Sequence, residues 1–276
     1  MSSIAIPGSD YKYGSTTRER PRTLNRLLLF FTLLLATALL AELGFHFVVG
    51  PRLTIRHIEM NVGKGFPLSD AEIVRLAGLD QPVLYYAVSP ERIAANLETY
   101  PLVKSAAVEK VFPNVLRITI VERNPLVISL VESEAHVVPV AFDSGGVAIE
   151  VGRSVTDYNM PVISGITIPQ ARLGMHLPPE LVGFLREVAA LKESAPALYS
   201  LISEIRFVKE GVAGFDAVLF LSNYHVPVKI GERINENLLK YVMMVLDVAQ
   251  KQGMLNKLAE LDFRTGQVVY KLKEGM

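Results

Sequence analysis

The sequence predicts an α+β protein: an N-terminal transmembrane helix, a βααββ domain, then a mostly antiparallel β domain with covering helices. Three observations support this prediction. A long apolar run follows a basic N-terminus, residues 52–123 contain the signals of one strand, two helices and two strands, and short strands separated by turn residues fill much of residues 124–276. The 276 residues are enough for two small domains beside a membrane segment.

The apolar run, residues 27–49, is long enough to cross a bilayer. As a helix it extends roughly 34 Å at about 1.5 Å per residue, and a hydrocarbon core is about 30 Å thick. Two ionisable residues, Glu42 and His46, fall in its last third. We expect them to reach water or headgroups near the outer interface, although their shared helix face leaves contact with a partner helix as an alternative.

The charges before this run predict its orientation. Residues 1–26 contain five basic and two acidic side chains. By the positive-inside rule, residues 1–26 form a cytoplasmic tail and the later domains lie outside the cytoplasm. A cleaved signal peptide is the alternative, but the basic segment is long for one and Ala36-Thr37-Ala38 is a poor cleavage site. We therefore expect an uncleaved, single-pass anchor.

Residues 52–123 predict a strand, two helices and two further strands, in that order. Ser69 and Glu72 have capping-box spacing at the start of the first helix, and Pro90 suits the first position of the second. Residues 112–114, with the sequence Phe-Pro-Asn, are a turn signal between the last two strands. A three-stranded sheet with both helices on one face would bury the apolar side of every element.

Residues 124–276 predict a second domain that consists mostly of strands. Short apolar segments alternate with Gly, Pro and Asn turns, and a helix is expected at about residues 178–192. Further strands precede the strongest helix signal of the chain, residues 232–251. The final segment, residues 260–273, is strand-like and lies near the C-terminus. This order predicts a mostly antiparallel sheet covered by helices.

Composition and spacing argue against several classes of function. The formal net charge is zero, which gives no support for nucleic-acid binding, and the absence of cysteine excludes thiolate metal sites and cysteine nucleophiles. No two of the histidines have metal-ligand spacing; they are His46, His57, His136, His176 and His225. We therefore expect no enzymatic activity, no catalytic residue, no metal or other cofactor, and no small-molecule substrate.

An acidic and a basic residue end the last strand of the first domain. Glu122 and Arg123 stand where the apolar alternation stops, just before Asn124-Pro125. A carboxylate beside an arginine can act as a general acid, but no second titratable group accompanies this one. We therefore expect Glu122 and Arg123 to lie at the interdomain seam and to help fix how the two domains meet.

Four segments carry a resemblance to a known family. One of them, VPVKIGERINENLLKYVMMVL, resembles the strand, glycine and long helix of that family's second domain. Residues 100–125, YPLVKSAAVEKVFPNVLRITIVERNP, follow the pattern P-x-V-x-x-A-x-V-x-x-x-x-P-x-x-L-x-I-x-x-x-E-R-x-P. VAFDSGGVAIE and ELDFRTGQVVYK look like the opening turn and the closing strand of that family's second domain. Together the segments resemble the bacterial FtsQ/DivIB cell division proteins, whose first domain is a POTRA domain, over about residues 20–273. Thr265 departs from the pattern, because many relatives carry an aromatic residue there.

The resemblance implies a scaffold of the division machinery in the cell inner (plasma) membrane, with its domains in the periplasm at the septum. In this family the second domain captures membrane-anchored partners of the FtsB and FtsL type near its closing strand. An edge strand offers backbone groups for such capture. The candidate partner-binding residues here are Phe263, Arg264, Val268 and Tyr270. For Phe263 and Val268, packing in the core is the alternative.

A second function remains open at this point. POTRA domains also occur in envelope-assembly and secretion factors that bind β-substrates, and those proteins end in a barrel of long alternating strands. This chain ends in a small mixed domain and begins with a membrane helix. The division scaffold is therefore the favoured prediction and the envelope-assembly factor the alternative.

Overall fold

The computed structural model describes residues 22–45, 47, 53–133, 136–211 and 214–273. Residues 1–21 of the predicted tail lie outside the described residues, as do His46 and residues 48–49 of the predicted membrane span. The predicted fold class is confirmed: an apolar N-terminal helix precedes a small α+β domain and a large, mostly antiparallel sheet with helices.

The N-terminal helix α1 (Arg22–Gly44) has the composition of a membrane span. Its segment Asn25–Gly44 has a mean hydropathy of 2.2 and is long enough to cross a bilayer. The helix begins before the predicted span at residue 27, because residues 22–26 contain no proline or glycine that would stop it. Its large apolar side chains are exposed, as is typical of a helix surface that meets lipid.

The first domain has the predicted element order. It contains β1 (His57–Asn61), α2 (Asp70–Leu76), α3 (Pro90–Glu98), β2 (Val103–Val111) and β3 (Val115–Glu122). The Glu72 carboxylate accepts hydrogen bonds from the Ser69 N–H and hydroxyl, at 2.8 and 2.7 Å, and so secures the start of α2. Pro90 occupies the first turn of α3, where its missing N–H leaves no hydrogen bond unmade.

The strands of the first domain form a sheet whose two ends differ. Within the described residues the order is β1-β3-β2. His57 of β1 and Val111 of β2 both lie opposite Val115 of β3. The start of β1 and the turn between β2 and β3 therefore share one end of the sheet. The other end holds Glu122, where β3 leads to the second domain.

Both helices pack on one face of this sheet, as predicted. Ile73 of α2 and Leu97 of α3 belong to the same buried cluster as Leu116 and Ile118 of β3. Each large aliphatic side chain buried in this way contributes about 1.5–3 kcal/mol to folding. The first domain thus has a core of its own.

The second domain contains the remaining strands. They are β4 (Val127–Ser133), β5 (His136–Phe142), β6 (Ala148–Val151), β7 (Val162–Ser164), β8 (Ile202–Glu210), β9 (Gly214–Leu221), β10 (Tyr224–Gly231), β11 (Leu258–Asp262) and β12 (Val269–Leu272). In the described part of the chain they form a nine-stranded sheet in the order β12-β11-β10-β9-β8-β7-β4-β5-β6. Pairing is parallel at β4–β7, β7–β8 and β10–β11 and antiparallel elsewhere. The edges of this sheet are therefore β6 and β12.

Helices cover the large sheet. They are α4 (Val182–Ser194), α5 (Pro196–Tyr199) and α6 (Glu236–Lys251). Leu185 of α4 and Leu246 of α6 are completely buried in one core with the sheet. The predicted start of α6 at residue 232 was wrong by one turn, because Asn235 is the N-cap and its side chain accepts from the Leu238 N–H at 2.9 Å.

Candidate functional site

The last strand, β12, is an open edge of the large sheet. It pairs with β11 on one side, and no strand of the described chain pairs with its other side. All four residues of β12 are exposed. An edge of this kind presents unpaired N–H and C=O groups, to which another strand can be added.

Two side chains of β12 continue the apolar face of the sheet. Tyr270 lies opposite Leu261 and Leu272 lies opposite Leu258, and residues paired across strands share a face. Leu258 and Leu261 are buried in the core, whereas Tyr270 is 55% and Leu272 is 49% exposed. The core face therefore extends one strand beyond its covering helices. We name Tyr270, Leu272 and the open backbone of β12 the C-terminal edge.

The backbone of β12 directs alternate residues to the open side. The Lys273 N–H donates to the Lys257 carbonyl at 2.9 Å, so it points toward the preceding part of the sheet. Because backbone groups alternate in direction along a strand, those of Lys271 also point inward. The N–H and C=O groups of Tyr270 and Leu272 then point outward, toward the position of a further strand.

Two of the predicted partner-binding residues lie beneath this surface. Phe263 is 5% exposed, and its ring packs edge-on against Tyr241 of α6 with centroids 5.5 Å apart. Val268 is partly buried against the same core. Their side chains therefore support the segment that leads into β12 rather than forming its outer surface.

Arg264 joins the start of the β11–β12 turn to neighbouring strands. Its guanidinium lies 2.7 Å from Asp262 and 2.6 Å from Asp216, and 3.7 Å from Glu210. The hydrogen bond to Asp262 and the negative charge of Asp216 raise the pKa of Arg264 above its usual value. The hydrogen bond from Arg264 in turn lowers the pKa of Asp262. Arg264 thereby holds the turn against β9, which contains the buried Asp216.

We expect Arg264→Ala to lower the melting temperature, because it leaves the buried Asp216 carboxylate without this cation. Adding Asp216→Asn should recover part of the loss, since the stranded charge is removed. Thermal unfolding of the full chain in detergent, followed by circular dichroism, measures both effects. A melting temperature unchanged by Arg264→Ala at neutral pH would contradict this account.

The pH dependence of this ion-pair group follows from the Asp262 carboxyl. Its pKa is lowered in the folded protein, so its ionised form favours the fold. The stabilisation is fully present above the unfolded pKa of about 3.9 and is lost as the pH falls through the lower, folded value. The part of the difference between wild type and Arg264→Ala that comes from the Asp262 carboxyl should therefore be lost only in strong acid.

At the interdomain seam, Arg123 contacts the second domain. Its guanidinium donates to the Asp143 carboxylate at 2.8 Å. The other oxygen of Asp143, a residue only 3% exposed, accepts from the N–H groups of Gly145 and Val147 at 2.9 and 2.8 Å. Asp143 is thus fixed by its own turn and offers the remaining oxygen to the first domain.

Further contacts surround this ion pair. Gly174 of the second domain lies so close to Pro101 of the first that an added Cβ would be 2.8 Å from the Pro101 Cγ atom. The Lys192 ammonium donates to the Pro125 carbonyl at 3.0 Å, just after the seam. The seam therefore combines one largely buried charge pair with a close approach of Gly174 to the Pro101 side chain and a hydrogen bond from Lys192.

The Glu122 side chain, by contrast, contacts the first domain. Its carboxylate packs against Gly63, in the loop after β1, and so lies within the first domain. Among the described residues its Oε1 atom is buried and has no hydrogen-bond partner. The two residues of the predicted pair therefore make different contacts. Arg123 binds Asp143 of the second domain, whereas Glu122 contacts the loop after β1 in the first domain.

The seam and the C-terminal edge are distant in the sheet order. Asp143 follows β5, next to the edge strand β6, whereas Tyr270 lies on β12 at the other edge. Within the described part of the chain, no group of three or more His, Asp or Glu side chains has a geometry that could hold a metal ion.

Sequence reasoning missed three residues of these sites. Asp143 was noted as part of a turn, but not as the partner of Arg123. Asp216 interrupts an apolar strand, and a buried carboxylate requires a cation or hydrogen-bond donors. The acidic residue in this strand could therefore have predicted a basic partner. Leu272 belongs to the predicted final strand, but its exposure depends on the sheet order.

Comparisons with known proteins agree with this architecture. A family model named "POTRA domain, FtsQ-type" matches residues 54–123. The chain is also 32% identical over 108 residues to the cell division protein FtsQ of Koribacter versatilis (strain Ellin345). That similarity covers 39% of this chain and 30% of the relative. The resemblance seen in the sequence is therefore confirmed for residues 54–123, which match the FtsQ-type POTRA domain.

Proposed function

We propose that this protein is a non-enzymatic scaffold of the bacterial cell division machinery, which links membrane-anchored division proteins of the FtsB and FtsL type. The cell division role is supported by the FtsQ-type POTRA domain and by the similarity to an FtsQ protein. The observation that carries the linking role is the C-terminal edge: a strand with one unpaired side, on which the exposed Tyr270 and Leu272 side chains continue the face of the covered core.

The proposed binding step is the addition of a partner strand to β12. The outward N–H and C=O groups of Tyr270 and Leu272 would bind the partner backbone, and their side chains would be covered by it. Phe263 and Val268 contribute by packing beneath the segment, and Arg264 by holding the β11–β12 turn. A strand held in place before binding loses less conformational entropy on association.

The proposed location is the inner membrane, with α1 as a single, uncleaved anchor and the N-terminus in the cytoplasm. Support comes from the length and hydropathy of Asn25–Gly44 and from the basic residues that precede it. We take residues 52–123 and 124–276 as the two extracytoplasmic domains, which lie at the division septum. Arg123, with Asp143, would hold them in one arrangement.

Depletion of the protein in its host tests the division role. We expect the cells to grow as filaments without septa, because a scaffold of the division machinery is lost. Expression of the wild-type chain should restore division, and a chain that lacks residues 269–273 should not. Normal septa with a block in outer-membrane assembly would instead support the envelope-assembly function.

A further inference from the structure

A cluster of exposed aromatic side chains lies on the first domain. Tyr86 is 68% and Phe112 is 69% exposed. Both rings pack edge-on against Tyr85, with centroids 5.9 and 6.0 Å away. Leu84, which is also exposed, immediately precedes Tyr85 in the chain. We name Leu84, Tyr86 and Phe112 the aromatic tip, with Tyr85 as its base.

The aromatic tip is next to the point where the chain enters the domain after α1. The Tyr85 N–H donates to the Leu53 carbonyl at 2.7 Å, and Thr54 forms a β-bridge with Leu84. Phe112 begins the turn between β2 and β3, which lies at the same end of the small sheet as the start of β1. The second domain leaves from the opposite end, after Glu122.

The chain between α1 and the domain is short. From Gly44, the last residue of α1, to Leu53 it spans at most about 32 Å, even fully extended at roughly 3.3–3.6 Å per residue. With α1 in a bilayer, the end of the domain that holds Leu53 must stay close to the headgroups. That end is the one with the aromatic tip.

We propose that Leu84, Tyr86 and Phe112 insert into the lipid headgroup region and dock the first domain on the membrane surface. This inference rests on the proposed role of α1 as a membrane anchor. Aromatic rings are favoured at the membrane–water interface, where their apolar parts leave water and a tyrosine hydroxyl stays hydrated. The domain is then held at two points, the end of α1 and the tip, which restricts its tilt relative to the bilayer.

The contacts around the tip favour apolar insertion over attraction between charges. The Lys110 ammonium lies 5.1 Å from the Tyr85 ring centre and donates to the carbonyls of Tyr85 and Val88. Because this cation is engaged within the domain, it is not the main contact for lipid phosphates. Docking should therefore persist in membranes of neutral lipid and at high salt.

Tryptophan fluorescence tests this proposal directly, because the chain has no tryptophan of its own. The variants Phe112→Trp and Tyr86→Trp each place a single probe at an exposed aromatic position. The full chain is reconstituted in phosphatidylcholine vesicles whose acyl chains are brominated near the headgroup. We expect several-fold quenching of both probes relative to vesicles without bromine, and an emission maximum shifted to the blue.

Two control variants make each outcome decisive. Phe45→Trp reports on the end of the anchor and should be quenched, whereas Tyr158→Trp, at an exposed position of the second domain, should not. Quenching of Phe45→Trp without quenching of either tip probe would overturn membrane docking and leave the anchor in place. An unquenched Phe45→Trp would overturn the anchor, and the docking proposal with it.

Discussion

A proline at position 270 is expected to abolish capture of an FtsB-type partner while the protein still folds. The Tyr270 N–H points to the open side of β12, so Tyr270→Pro breaks no hydrogen bond within the sheet. It removes a donor that a partner strand needs, and its ring obstructs close approach. One lost backbone bond costs about 1 kcal/mol and the obstruction adds to it, so binding should weaken at least about tenfold. Pull-down of the FtsB-type protein by the full chain in nanodiscs measures the effect.

Two further variants separate the contribution of the Tyr270 side chain from that of the β12 backbone. Tyr270→Thr keeps the N–H group and a strand-forming side chain, so we expect a smaller loss that reports on the ring alone. Lys271→Pro removes an inward N–H group and should damage the sheet itself, which thermal unfolding detects. A Tyr270→Pro chain that melts like wild type and captures the partner equally well would exclude the C-terminal edge as the binding site.

Position 268 is a less informative place for the same test. Val268 is partly buried against the core, so a charge there would disturb folding as well as binding. Loss of capture in such a variant would not distinguish the two causes. Tyr270, whose side chain is exposed and whose backbone faces outward, avoids this ambiguity.

Arg123→Ala is expected to loosen the arrangement of the two domains. The change leaves Asp143 with two backbone donors but without the arginine, in a position only 3% exposed. Loss of one partner of such a pair costs about 2–4 kcal/mol. Because the pair joins the domains, part of this cost should appear as interdomain motion. Spin labels at Arg75→Cys and Tyr158→Cys, one in each domain, should show a broader distance distribution.

Glu122→Ala is the matched comparison. The chain has no native cysteine, so the same two labels report on it without interference. Since the Glu122 carboxylate packs against Gly63 and not against Asp143, we expect a smaller change in the distance distribution than for Arg123→Ala. Equal, narrow distributions in wild type and Arg123→Ala would show that the Arg123–Asp143 pair does not control the arrangement.

Local patterns explain why so much of the fold was predictable. The Ser69–Glu72 spacing and the proline at position 90 start α2 and α3 in the structure as they do in the sequence. These signals act within one turn of helix, so they depend little on distant residues. Alternation along Leu116, Ile118 and Ile120 likewise predicted which face of β3 is buried.

The roles of individual site residues were harder to predict. Phe263 and Tyr270 are both aromatic and belong to one predicted segment, yet Phe263 is in the core and Tyr270 is at the surface. Their exposure differs because Phe263 lies beneath α6, whereas Tyr270 is on β12, one strand beyond the part of the sheet that the helices cover. The pattern of residues within 260–273 cannot indicate which of them α6 covers, because α6 comes from another part of the chain.

The sequence by itself determined the apolar N-terminal helix and the order of the elements that follow it, because hydropathy, capping and turn signals depend on near neighbours. Only the tertiary structure decided that β12 is an edge, that Asp143 is the partner of Arg123, and that the aromatic tip lies at the end of the small sheet where the chain enters the first domain. Each of these depends on pairing between residues far apart in the chain. Such pairing is selected by the packing of whole elements, which no single segment of sequence encodes.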